Sequence, residues 1–279
     1  MKKIALLLTA ALVFSTVSLY AQSAQTRLDK GKRLFEQGDY EDAITELSEA
    51  IRLDPRLAEA YAYRARSYAG ENNDQALSDA NRAIQLNPLL SVGYYARGNV
   101  YSYKNDYDRA IADFTEAIRL DPEFAWAYNN RGYAYDEKGD YGRAIADYTE
   151  AIRLEPQTAM VYMNRGVSYG QKGGYDLAIA DFTEAIRLDP ELTDAYYNRG
   201  NAYSYMNEYD RAIADYTEAI RLEPQYSEAY NNRGVAYADK YDYDRAIADF
   251  ETAVRLDPDN SNAWENLKAA RQSKPQGGI

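Results

Sequence analysis

The sequence predicts an all-α fold built of stacked helical hairpins, and three observations carry that prediction. Prolines stand at Pro55, Pro88, Pro122, Pro156, Pro190, Pro224 and Pro258, spaced by 33 residues once and by 34 five times. The phrase RAIADFTEAIRLDP at Arg109 returns with few changes at Arg143, Leu177, Arg211 and Arg245. Between the prolines, apolar and small residues recur at helical rather than alternating spacing. A fixed period of this size marks an array of small units, each of which buries its apolar face only by stacking on its neighbours.

Taken in order, the chain opens MKKIALLLTAALVFSTVSLYAQ, with Lys2 and Lys3 ahead of an apolar run and small or polar residues around Ala21. This reads as a signal peptide over residues 1–21, cut after Ala21, and implies a periplasmic or secreted protein. The run is interrupted by Thr9, Ser15, Thr16 and Ser18. It is therefore shorter than the roughly 20 apolar residues of a membrane-spanning helix, and no integral span is expected after cleavage. Without cysteine there is neither a disulfide framework nor a lipid-modified cysteine.

The repeated units follow, over residues 22–260. In the unit from Ser91 to Phe124, Tyr94, Gly98 and Tyr101 mark the first helix, and Tyr107, Ala110, Phe114, Ala117 and Ile118 mark the second. KNDYD between them supplies a turn with Asp106 as N-cap, and LDP ends the second helix. Gly98 recurs as Gly31, Gly132, Gly166, Gly200 and Gly234. A mid-helix glycine costs about 1 kcal/mol against alanine, so close helix approach must offset it; Ala110 and its equivalents are the expected opposing residues. After Pro258, SNAWENLKAARQSK begins like an eighth first helix and then turns polar, as a cap over 261–274 does. Residues 275–279 read as a disordered tail.

With AYNNRGYAY, AIADY and the closing proline in register, the pattern resembles the tetratricopeptide repeat over about residues 24 to 260, as seven units. The resemblance implies a right-handed α-solenoid of antiparallel helix pairs whose first helices line a concave groove. The second unit departs from the pattern: it is one residue short in its turn, with Ala65 for the glycine and Ala80 for the aromatic at Phe114. A thinner core is expected there.

Composition narrows the function. The net charge is −12, and removing residues 1–21 takes away Lys2 and Lys3 but no acid, giving −14. Such a chain offers no basic stripe for nucleic acid. It also has no histidine, the commonest general base and metal ligand. No nucleophile, base or phosphate loop stands apart from the repeats, so neither catalysis nor a cofactor is expected. The repeated charges read as scaffold, with Arg109–Asp113 and Glu116–Arg119 stitching an exposed helix face. Most of the 29 tyrosines sit at packing positions.

Recognition must then reside where units differ, on the first helix opposite Tyr94, Gly98 and Tyr101. That face carries Tyr95, Asn99 and Tyr103 in the third unit, Trp126, Asn130 and Tyr133 in the fourth, and Met163 and Asn164 in the fifth. It carries Tyr197, Asn198, Asn201 and Tyr205 in the sixth, and Asn231 and Asn232 in the seventh. Asn130, Asn164, Asn198 and Asn232 form a ladder at 34-residue intervals. It is spaced either to meet every third peptide unit of an extended chain or to bond neighbouring helices within the scaffold. The Tyr95–Asn99–Tyr103 stripe recurs as Tyr197–Asn201–Tyr205, three units later.

The expected partner is another protein, offering a neutral or basic extended segment. The lysines with which some family members capture a carboxylate are missing from this face in the third to seventh units. The alternatives are carbohydrate or envelope-polymer binding through exposed aromatics, and self-association through the C-terminal helix.

Overall fold

A computed structural model describes residues 22–274; the signal peptide read over 1–21 and the tail read over 275–279 lie outside the described residues. All regular structure described is helical. Helix α1 spans residues 22–37, followed by α2 Tyr40–Leu53, α3 Ala58–Tyr68, α4 Asn73–Leu86, α5 Ser91–Tyr103, α6 Tyr107–Leu120 and α7 Ala125–Glu137. Then come α8 Tyr141–Leu154, α9 Ala159–Gln171, α10 Tyr175–Leu188, α11 Thr193–Tyr205, α12 Tyr209–Leu222, α13 Ser227–Asp239, α14 Tyr243–Leu256 and α15 Ser261–Ser273. The helices fall into two compact units, residues 1–139 and 140–279. Within each, a helix packs on its chain neighbours and first helices touch the first helices of adjoining pairs, as α3 with α5 and α11 with α13.

The turns inside the pairs are closed by local chemistry. Asp106 accepts from the Arg109 amide and caps α6, and Asp140 and Asp242 do the same for α8 and α14. Before the cap, Asn105 has φ +55° and the Asp106 amide donates to the Tyr101 carbonyl at 2.8 Å. This left-handed closure satisfies the last carbonyls of α5. Asn207 and Tyr241 occupy the same place with φ +61°. For tyrosine that conformation is strained.

The glycine contact differs from the sequence expectation. A Cβ on Gly98 would lie 2.6 Å from the Phe114 ring, not against Ala110, and Gly166, Gly200 and Gly234 meet Phe182, Tyr216 and Phe250 in the same way. Glycine makes room for a ring. The second pair changes both partners together: Ala65 supplies a Cβ where Ala80 has removed the ring, and both are fully buried beside Ala96.

The charge pattern is also corrected. Asp113 is buried and is held by both Nε and Nη2 of Arg97 on α5, at 2.8 Å each. Arg109 instead pairs with Asp106 and lies over the Tyr101 ring. The same bidentate grip joins Arg64 to Asp79, Arg165 to Asp181, Arg199 to Asp215 and Arg233 to Asp249. A remaining guanidinium nitrogen reaches back one pair, as Arg199 Nη1 to Thr183 at 3.0 Å. Each arginine therefore ties three helices through charge-assisted bonds. Glu116 and Arg119 do pair on the exposed surface.

Candidate functional site

The compact unit of residues 140–279 holds a hollow of about 380 Å³ lined by Tyr197, Asn201, Ser204 and Tyr205 of α11, Tyr216 of α12, and Asn232 and Val235 of α13. Helical spacing explains the α11 set: residues 197, 201, 204 and 205 share one face. Its floor is polar and tightly bonded. Asn232 Nδ2 donates to Tyr197 Oη and to Asn201 Oδ1, both at 3.0 Å, and Asn201 Oδ1 also accepts from Tyr216 Oη at 2.8 Å. The Asn232 carbonyl accepts from Asn231, which in turn accepts from Asn266 of α15. Tyr205 is 70% exposed and stacks on Tyr175, with centroids 5.1 Å apart and planes 9° apart.

Electrostatics at this hollow are mildly negative. Burial pushes the Tyr197 hydroxyl above its ordinary range, with Glu228 adding to it, and burial with Asp194 does the same to Tyr226, whose ring lies 4.9 Å from that of Tyr197. Tyr216 is also raised, by burial first. All three stay protonated at neutral pH; Tyr216 donates its proton to Asn201 and Tyr226 donates its proton to Asp194.

The other compact unit repeats the network 102 residues earlier, between α5 and α7. Asn130 Nδ2 donates to Tyr95 Oη at 3.1 Å and to Asn99 Oδ1 at 2.8 Å, and its carbonyl accepts from Asn129. One atom breaks the copy. Phe114 stands where Tyr216 has its hydroxyl, and Ser102, the equivalent of Ser204, has the one fully buried side-chain polar atom without a partner among the described residues.

These contacts revise several of the expected site residues. Tyr95 does not face a ligand: it is 5% exposed, its ring against Phe114 at 5.8 Å and Phe124 at 4.7 Å. The ladder rungs Asn130 and Asn232 are engaged by the scaffold through both amide hydrogens and the carbonyl, and Asn198 donates to the Asp194 carbonyl of its own helix. Asn99, Asn201 and Asn231 belong to the same bonded networks. Met163 and Asn164 are half-buried. Tyr103, Trp126, Tyr133 and Tyr205 are exposed. Burial, then Glu137, pushes the Tyr133 hydroxyl up to about 12. Tyr216 and Ser204 are hollow residues that the helical pattern alone had assigned to packing or passed over.

A second, apolar hollow of about 440 Å³ lies against α15, lined by Trp264, Leu267, Lys268 and Arg271 among others. Among the described residues no group of acidic side chains is placed to hold a metal ion, and no helix is long and apolar enough to cross a membrane.

Paired helices tied by one repeated aromatic contact and one repeated ion pair, with variable side chains confined to the first-helix face, define a helical repeat protein. Family models of the tetratricopeptide repeat match residues 31–71, 98–139 and 169–206, residues 125–157, and residues 197–261. Together these span well over half of the sequence, and the chain belongs to the tetratricopeptide repeat family. Solved structures similar to it include YrrB, described as a TPR protein with an unusual peptide-binding site, at 25% identity over 68% of this chain and 97% of that one, TM-score 0.59. MamA is 28% identical over 58% of this chain and 94% of its own, TM-score 0.55. Pseudomonas aeruginosa PilF shares the fold at 20% identity, covering 77% and 98%, TM-score 0.68. No curated protein sequence matches the chain. The fold is that of a protein–protein interaction scaffold.

Proposed function

We propose that this protein is a non-catalytic scaffold that holds an extended segment of another protein on its first-helix face, with the Tyr197–Tyr205 hollow seating one side chain of that segment. The hollow carries the reading: it is open, its walls are fixed by a saturated hydrogen-bond network, and rigid walls reduce the ordering cost of binding. Description of YrrB as having a peptide-binding site supports the same use of the fold. The Asn residues and Tyr216 serve as framework, and the contacts fall to Tyr205, Ser204, Val235 and the Tyr197 hydroxyl. Glu228 and Asp194 favour a neutral or basic segment at this unit. Export directed by residues 1–21 places the scaffold in the periplasm or outside the cell.

The test uses an array of random-sequence peptides and a glycan array, probed with the chain from residue 22 onward. Val235→Trp fills the hollow and Tyr205→Ala removes its exposed wall. Each is expected to weaken peptide binding roughly tenfold or more with the melting temperature unchanged. Peptides binding the filled variant as well as the parent, or glycans captured where peptides are not, would remove the proposal.

A second reading, self-association through α15, rests on Trp264, half exposed beside the apolar hollow. It requires sedimentation of the parent as an oligomer and of Trp264→Glu as a monomer.

A further inference from the structure

The two copies of the hydrogen-bond network differ in the charges around them. In the copy between α5 and α7 a guanidinium already lies on the network's tyrosine: the Arg66 carbon of α3 is 5.1 Å from the Tyr95 ring centre, and Tyr95 is buried. Burial raises the Tyr95 hydroxyl and Arg66 draws it back. Through one step of 33 residues and two of 34, Arg66 aligns with Val167 of α9, which carries no charge. Tyr197, the counterpart of Tyr95, is half-buried beside the hollow, and among the described residues no arginine or lysine is placed over its ring.

Acids have entered the same neighbourhood. Asp194 and Glu228 align with Val92 and Trp126 across 102 residues. Asp194 precedes Tyr197 by three residues on α11 and Glu228 precedes Asn232 by four on α13, so each lies one turn from the hollow on the same helix face. Tyr226, with its ring 4.9 Å from that of Tyr197, donates to Asp194 at 3.3 Å. After burial, Glu228 helps to push up the Tyr197 hydroxyl. Both acids are exposed and neither forms an ion pair among the described residues, because the arginines of α9, α11 and α13 are engaged by Asp181, Asp215 and Asp249. The network closes equally well in the copy that has Val92 and Trp126, so the scaffold does not require these two carboxylates.

We infer that the hollow takes a basic side chain, lysine or arginine, of the bound segment, its stem against Tyr205 and its charge among the tyrosine rings and the carboxylates of Glu228 and Asp194. The inference rests on the scaffold reading above and adds the charge of the guest. Arg66 over Tyr95 is the internal precedent, since the same tyrosine in the same network is covered there by the protein's own guanidinium. A cation is drawn to the face of a tyrosine ring, and the long stem of a basic residue packs along apolar surface while its head stays polar. Tyr205 is backed by the stacked Tyr175 ring and is 70% exposed, so its outer side is available. Carboxylates only accept hydrogen bonds, and ammonium and guanidinium groups only donate them. An acidic guest is repelled, and a neutral one gains packing alone.

The test titrates four acetylated and amidated peptides, Ala-Ala-X-Ala-Ala with X lysine, arginine, norleucine or glutamate, into the chain from residue 22 onward. Binding is read from the backbone amides of α11 and α13 in nitrogen-15-labelled protein. The lysine probe, the arginine probe or both should saturate on the order of millimolar, with norleucine and glutamate roughly tenfold weaker or more; the tighter basic probe identifies the guest. Added salt should weaken the basic probes and leave norleucine unchanged. Glu228→Gln combined with Asp194→Asn should weaken the basic probes roughly fivefold or more with the melting temperature unchanged, whereas Asp259→Asn, at an exposed acid in the turn before α15, should not. Norleucine binding as tightly as lysine and arginine, basic probes indifferent to salt and to the double replacement, or no response to any basic probe overturns the inference. If neutral peptides from the arrays still bind and lose affinity in Val235→Trp, the scaffold reading survives that failure. If a basic probe binds the hollow while the arrays capture no peptide, the basic guest stands and the scaffold reading falls.

Discussion

Replacing Gly98 by alanine should change the sign of its effect on stability according to what stands at position 114. In the native chain the new Cβ would lie 2.6 Å from Phe114 Cε1 and 2.8 Å from Cδ1. Phe114 is fully buried and held against Tyr95, so the ring has little room to retreat. Overpacking of this kind costs about 1–3 kcal/mol, and a fixed ring puts the cost in the upper part of that range. Helix propensity returns about 1 kcal/mol. Gly98→Ala should therefore destabilise by about 1–2 kcal/mol. In a Phe114→Ala background, itself about 3–5 kcal/mol less stable, the clash is gone and only the propensity gain remains. The same Gly98→Ala change should then stabilise by about 1 kcal/mol, a coupling of roughly 2–3 kcal/mol. Ala65 with Ala80 is this double replacement already present one pair earlier. Urea unfolding of the four proteins, followed by far-ultraviolet circular dichroism, measures the cycle. An equal loss from Gly98→Ala in both backgrounds would refute the ring-accommodation argument.

Phe114→Tyr should place a hydroxyl beside Asn99 and the unpartnered Ser102, as Tyr216 does beside Asn201, and stabilise by about 0.5–1.5 kcal/mol. Tyr216→Phe should cost a similar amount; both are read from urea midpoints. Asp215→Asn leaves the half-buried Arg199 without its counter-charge and should cost about 3–5 kcal/mol, whereas Glu116→Gln on the surface should cost under 1 kcal/mol; the difference in melting temperature checks it. Tyr241→Gly should stabilise by about 1 kcal/mol in thermal denaturation, because the left-handed conformation at φ +61° suits glycine.

Alkaline pH should act through Tyr133. Its hydroxyl is raised to about 12 from the ordinary 10, so its contribution to stability is complete below pH 10. It is lost between 10 and 12, where the unfolded chain gives up that proton first. Tyr133→Phe should flatten this part of the pH–stability curve. On the acid side, Glu46 is depressed below its ordinary 4.5 by hydrogen bonds from Lys30 and Arg27. The stability it contributes is present above pH 4.5 and falls away below it, a slope that Glu46→Gln should reduce in acid titrations of unfolding.

The places where sequence reading succeeded and failed separate along one physical line. Period, helix ends and caps are local: Asp106 caps α6 because its side chain meets an amide three residues on, and that spacing is visible in the chain. Tyr95 was placed on an open face because a helical wheel gives direction but not cover. The cover is Phe124, from the turn leading into the next helix, and no periodicity announces it. Arg97 and Asp113 are 16 residues apart on different helices, while Arg109 and Asp113 stand at the helical spacing that suggests a pair. The nearer pattern was the wrong one. The asparagine ladder was legible as a ladder, but whether its amides faced a guest or each other depended on the distance between helices.

By itself the sequence determined the repeat: a 34-residue unit, two helices in each, and variation confined to the first. Those properties follow from periodicity and from capping chemistry within a few residues. Only the tertiary structure decided which polar groups are already satisfied. Hydrogen bonds and ion pairs between helices require approach to about 3 Å, and a linear pattern carries no such distances. That is why Asn130 and Asn232 became framework and why Tyr197, Ser204, Tyr205 and Tyr216 came to surround a hollow.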